Sequence, residues 1–124
     1  MSEEIILTPA LIEQKMVYLS KQLDICQQEL ELAEKKYADL KAQHEIGLAK
    51  SRINLASKKN EAGKALTATE KDDFALIENE DTHLLLASAE ALVKASRANA
   101  SRLKTQVDLA RSIGSSVRSS MEIA

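Results

Sequence analysis

Aromatic residues are nearly absent: the 124-residue chain has Tyr18, Tyr37 and Phe74 and no tryptophan. So little ring surface argues against base stacking as a main source of nucleic-acid affinity. The single cysteine, Cys26, excludes an internal disulfide and fits a reducing cytoplasm. Strand formers never cluster with period-two alternation, so no strand is expected. No run approaches roughly 18 uninterrupted apolar residues, so no segment is expected to span a membrane. The start, MSEEIILTP, lacks a basic region before a long apolar run and does not read as a signal peptide. One proline and three glycines leave few breaks in whatever regular structure forms.

What is present is alanine, leucine, isoleucine and a high density of charge. These side chains, apart from isoleucine, lose little rotamer freedom in a helix, so the composition predicts long helices. Thr8-Pro9 suits a helix start, because threonine caps free N–H groups and proline fits the first helical position. From there Ile12, Met16, Leu19, Leu23, Cys26, Leu30, Ala33, Tyr37, Leu40, His44 and Gly47 alternate by four and three. That is the seam of a coiled coil. After Leu40 the apolar phase shifts toward Ile46, Ala49, Ile53 and Ala56, which predicts a local change of supercoiling near Gly47. A second row, Leu11, Tyr18, Ile25 and Leu32, recurs every seven residues and marks a candidate oligomer or partner interface.

The first helix is expected over about residues 9–60, a turn over 61–67, and the second helix over 68–120. Gly63 reads as the stop of the first, and Thr67 with Glu70 as a capping box opening the second. Phe74, Ile77, Leu84, Leu85, Leu92, Leu103, Val107, Ala110, Val117 and Met121 read as the buried face of the second helix. Between them lie Ala87, Ala89, Ala91, Ala95, Ala98 and Ala100, small enough for close helix approach. Two helices of matching length joined by a short turn define one all-α domain, a long antiparallel helical hairpin. A lone hairpin cannot bury both apolar rows, so assembly into an oligomeric helical bundle is expected, with a four-helix homodimer as the simplest closure.

The charges segregate. Residues 1–45 hold five basic and nine acidic groups, 50–64 five and one, 70–90 one and seven, and 94–124 six and two. One reading makes Lys94, Arg97, Arg102, Lys104, Arg111 and Arg118 a phosphate-contacting stretch. The other pairs the blocks across the hairpin, acidic 70–90 beside basic 50–58 and basic 94–118 beside the acidic start. Both remain open from sequence.

No catalytic set, cofactor loop or metal-ligand spacing is apparent. His44 lies on the seam and His83 beside Asp81, far apart in sequence and without a His-x-x-x-His or cysteine partner. Only the fold can bring them together. Cys26, on the seam, reads as a small buried hydrophobe. Glu78, Glu80 and Asp81 read as a solvated or cross-paired face, and Gly63-Lys64 lacks the spacing of a phosphate loop. An enzyme is therefore not expected.

Three segments carry a resemblance: His44-Glu45-Ile46-Gly47-Leu48-Ala49-Lys50-Ser51-Arg52, the Gly-Lys-x-Leu-Thr-x-x-Glu turn from Gly63 to Glu70, and Arg-Ser-Ile-Gly-x-x-Val-Arg-x-x-Met from Arg111 to Met121. In this order, between amphipathic helices, they resemble small helical proteins of phage recombination modules. More distantly the chain is similar to the UvsY-type recombination mediators of T-even-like phages. It departs from them at Ile113, where they carry a basic residue, and at Ile123, where they carry an aromatic. The resemblance implies an oligomeric helical hairpin in the host cytoplasm that binds single-stranded DNA and assists a recombinase or annealing protein. It implies Lys50, Arg52, Arg111 and Arg118 as phosphate contacts. The alternative from the residues themselves is a protein-binding coiled-coil adaptor, inhibitor or structural module without nucleic acid.

Overall fold

The computed structural model describes residues 7–123, the side chain of Ile123 excepted. The opening residues read above for a leader, and the Ile123 side chain, lie outside it. Three helices account for most of the described chain: α1 (Pro9–Leu55), α2 (Ala68–Glu78) and α3 (Glu80–Ile123). No strand occurs among the described residues, and no helix is long and apolar enough to cross a membrane.

Each helix boundary has a local cause. At the start of α1, Thr8 Oγ1 accepts the Leu11 N–H at 3.3 Å and the Thr8 carbonyl accepts the Ile12 N–H at 3.1 Å. At α2 the capping box is complete: Glu70 N–H donates to Thr67 Oγ1 at 3.1 Å, and Thr67 N–H donates to Glu70 Oε1 at 3.3 Å. Helix α1 ends at Leu55, earlier than the sequence reading placed it, and Gly63 is not its stop. Gly63 instead turns a small hairpin loop at φ +74°. Asn60 organises that loop: its N–H donates to the Lys64 carbonyl at 2.8 Å, its carbonyl accepts from Gly63 at 2.9 Å, and its Oδ1 accepts from Lys64 at 3.0 Å. One isolated antiparallel bridge, Lys59 to Ala65, closes it.

The contacts divide the chain into two compact units. In the unit formed by residues 7–31 and 95–123, α1 and α3 pack antiparallel. Leu19, Val107 and Ala110 form its core, with Met16, Leu23 and Leu103 against them. Buried Cys26 lies opposite Asn99, whose Nδ2 donates to Sγ at 3.2 Å. At the other end a β-carbon on buried Gly114 would stand 3.1 Å from Ile12 Cγ2, so the helices meet closely there.

In the unit Leu32–Lys94, Leu55, Leu66 and Ala75 form the core, with Leu48 packed against it. Here too α1 runs antiparallel to the elements facing it, since His44 meets Thr82 and Ser51 meets Asn79.

Within these units the α1 seam from Ile12 to Gly47 is buried or half-buried at every position read from the sequence. The phase shift expected after Leu40 does not fall on the residues expected to carry it: the inward positions pass through His44, Leu48, Ser51 and Leu55, with Asn54 exposed. Ile46 and Ile53 are exposed, as are Ala49 and Ala56, and the seam continues through half-buried Leu48 and buried Ser51 and Leu55. A serine in the seam hid the true phase.

The second seam differs more from expectation. Phe74, Ile77, Leu84, Leu85, Leu92 and Met121 are all exposed. The inward positions are Ala75, Asn79, Thr82, Leu86, Ala89, Val93, Ser96, Ala100, Leu103, Val107, Ala110, Gly114 and Val117, alternating by four and three. Its first half is mostly small or polar, apart from Leu86 and Val93, so the bulky apolar residues there mark flanking positions instead. Only Leu103, Val107, Ala110 and Val117 of the expected face point inward.

Candidate functional site

Leu11, Tyr18 and Ile25 in one unit are exposed, and so are Leu32, Ile46 and Ile53 in the other. All six fall at intervals of seven or fourteen along α1, interrupted only by Asp39. At roughly 100° per residue, Leu11 stands about 120° from the midpoint between Ile12 and Met16, and Tyr18 and Ile25 keep that offset from the seam. A single partner helix on that seam cannot reach them. In the sequence this row ends at Leu32, because the next position seven residues on is Asp39. Ile46 and Ile53 resume the seven-residue spacing but stand opposite the inward His44, Leu48, Ser51 and Leu55, and Leu32 and Ile53 are 70% and 73% exposed.

The seven basic candidates are all exposed: Lys50, Arg52, Arg97, Arg102, Lys104, Arg111 and Arg118. Several already have partners within the chain. Arg52 Nε bonds Asp72 Oδ1 at 3.0 Å, linking the end of α1 to the first turns of α2. That ion pair realises the cross-element pairing of the acidic block with residues 50–58. Arg102 donates to Asn99 Oδ1 at 2.7 Å, and Arg111 lies 3.9 Å from Asp108 on the same helix. Lys94 pairs with Glu90 at 3.3 Å. Such exposed pairs contribute at most about 1 kcal/mol each, little obstacle to exchange for a phosphate. The segment from Arg111 to Met121 is helical throughout, with Gly114 turned inward and Arg111 and Arg118 outward.

A polar layer interrupts the core of the Leu32–Lys94 unit, and the sequence reading missed it as a layer. Asn79 sits between α2 and α3. Its Nδ2 donates to Ser51 Oγ at 2.9 Å and to the Ala75 carbonyl at 2.7 Å. Thr82 Oγ1 donates to the Asn79 carbonyl at 2.9 Å and lies 2.9 Å from His44 Nδ1. His44 and Ser51 are buried, and His83 stands beside His44 with ring centroids 5.6 Å apart. The two histidines that sequence kept apart are therefore neighbours. No group of three or more histidine, cysteine or acidic side chains suited to a metal ion occurs among the described residues. The signal available in sequence was that Ser51 and Asn79 both fall on 4–3 rows, where polar residues need partners.

A groove of about 640 Å³ lies beside the loop of the same unit, lined by apolar Leu55, Leu66 and Phe74 and by charged Lys58, Lys59, Glu70 and Glu78. It gathers no histidine, cysteine or serine nucleophile. Compared with family models, curated proteins and solved structures, the chain shows no match.

Proposed function

We propose that the chain is a non-enzymatic assembly module, an accessory protein of the phage recombination type. In this reading the α1–α3 pairs are coiled coils, and the outer row of α1 packs on further copies to build an oligomeric bundle. The observation that carries it is the exposure of Leu11, Tyr18 and Ile25 at seven-residue intervals in one unit, and of Leu32, Ile46 and Ile53 in the other. Bulky apolar side chains exposed in each unit leave area for a helix-on-helix contact. The recombination assignment rests on the short motifs at residues 44–52, 63–70 and 111–121.

Single-stranded DNA, or a recombinase or annealing protein, is the proposed partner of the assembled form in the cytoplasm. Exposure of all seven cations supports the DNA arm, since each can neutralise a phosphate. The second reading, a protein-binding module without nucleic acid, is favoured by the partners that Arg52, Arg102 and Arg111 already have. Light scattering combined with titration of a labelled oligonucleotide separates the readings. The recombination reading expects an oligomer whose salt-sensitive DNA affinity falls roughly tenfold or more when Arg111 and Arg118 become glutamate. An oligomer with no DNA binding at low salt leaves the adaptor reading; a monomer in both assays defeats both.

A further inference from the structure

We propose that His44 and His83 form a two-histidine site for a borderline divalent metal ion such as Zn²⁺ or Ni²⁺. The argument begins with one proton. A threonine hydroxyl has a single hydrogen, and that of Thr82 is directed to the Asn79 carbonyl at 2.9 Å. The same oxygen lies 2.9 Å from His44 Nδ1, so it meets the ring as an acceptor. His44 Nδ1 then carries the ring proton, and Nε2 keeps its lone pair. Imidazoles that bind metals are held in this way, with one ring nitrogen donating to a fixed oxygen and the other facing the ion.

His44 is buried, and Thr82 is the hydrogen-bond partner shown for its ring, at Nδ1; Nε2 is the nitrogen left for an ion.

The second ligand is in place. His83 is exposed, one residue beyond Thr82, and its ring centroid is 5.6 Å from that of His44 with the planes tilted by 47°. With metal–nitrogen bonds near 2 Å and a tetrahedral angle, two imidazole centroids on one ion lie about 5–6 Å apart. The tilt excludes stacking of the two rings face to face. Thiolate and further imidazole are lacking, so water completes the shell and the ion binds one per chain. Oxygen-preferring Mg²⁺ gains nothing from this pair. Because the ligands come from α1 and α3, the ion ties the two elements together.

The test is thermal unfolding of the full chain with Zn²⁺, Ni²⁺ or Mg²⁺, alongside calorimetric titration of the same ions. The expected result is a rise in Tm with Zn²⁺ and Ni²⁺ but not Mg²⁺, at one ion per chain, and loss of both signals in His83→Ala. Since His83 is exposed, that variant keeps the core intact and its Tm without metal stays close to the parent's. No Tm shift with either ion, or a shift unchanged in His83→Ala, overturns the proposal.

Discussion

A β-carbon on Gly47 would collide with Oδ1 of Asn79. Glycine inside a 47-residue helix, eight residues before its end, ordinarily costs about 1 kcal/mol relative to alanine, so another requirement has set this position. The Asn79 side chain is not free to swing away, because its Nδ2 is held by Ser51 and by the Ala75 carbonyl. Gly47→Ala is therefore expected to destabilise by about 1–2 kcal/mol despite its better helix propensity, through displacement of a hydrogen-bonded, half-buried amide. The double variant with Asn79→Ala removes the collision. In a thermal-melt cycle the two changes should couple strongly, with Gly47→Ala becoming neutral or stabilising when residue 79 is alanine.

The capping box at the start of α2 gives a second expectation. Thr67 and Glu70 exchange two hydrogen bonds, and Leu66 just before them is part of the small core with Leu55 and Ala75. Thr67→Ala should cost about 1 kcal/mol, which for a chain of this size lowers Tm by roughly 4 °C. Thr67→Ser or Thr67→Asp, which retain an accepting oxygen, should recover most of the loss. Equal melting of all four proteins would mean that α2 owes its start to the Leu66 contact alone.

Gly63 poses a purely backbone question. Its φ is +74°, and a β-carbon there would have nothing within 4 Å. Packing thus contributes nothing to a substitution, and the whole cost of Gly63→Ala is the left-handed conformation, about 1–2 kcal/mol. Gly63→Asn should cost less, because asparagine tolerates this region. Chemical denaturation at constant slope measures both.

The α1 seam was legible because each heptad carries a bulky or distinctive residue at both inward positions up to Gly47, and the Thr67–Glu70 cap because its chemistry is local. The α3 seam was not. Between Ala75 and Ala100 its inward positions hold alanine, asparagine, threonine and serine as well as Leu86 and Val93, while Leu84, Leu85 and Leu92 flank it. Periodicity of large apolar residues then reports the wrong stripe. Small inward residues are favourable when helices approach closely, and that distance is a property of the pair, not of either sequence segment. The same limit hid the polar layer. Ser51 and Asn79 look like breaks in two separate patterns until the fold places them 2.9 Å apart. The candidate cations were legible as exposed charge, but not which of them, such as Arg52 with Asp72, are already paired.

The outer row of α1 yields a prediction that separates self-assembly from packing within the chain. Ile25 and Leu32 are 47% and 70% exposed, so in an isolated chain Ile25→Glu and Leu32→Glu remove little buried area. Exposed substitutions of this kind ordinarily change stability by no more than about 0.5 kcal/mol. If copies pack through this row, folding and association are linked, and Tm rises with protein concentration. The parent protein should show that dependence over a hundredfold dilution series. In the double glutamate variant the dependence should vanish, the mass in solution should fall, and Tm should settle at the parent's most dilute value. A parent Tm independent of concentration would place the row outside any self-contact. A variant that melts far below the dilute parent would instead show that these side chains support the fold of the single chain.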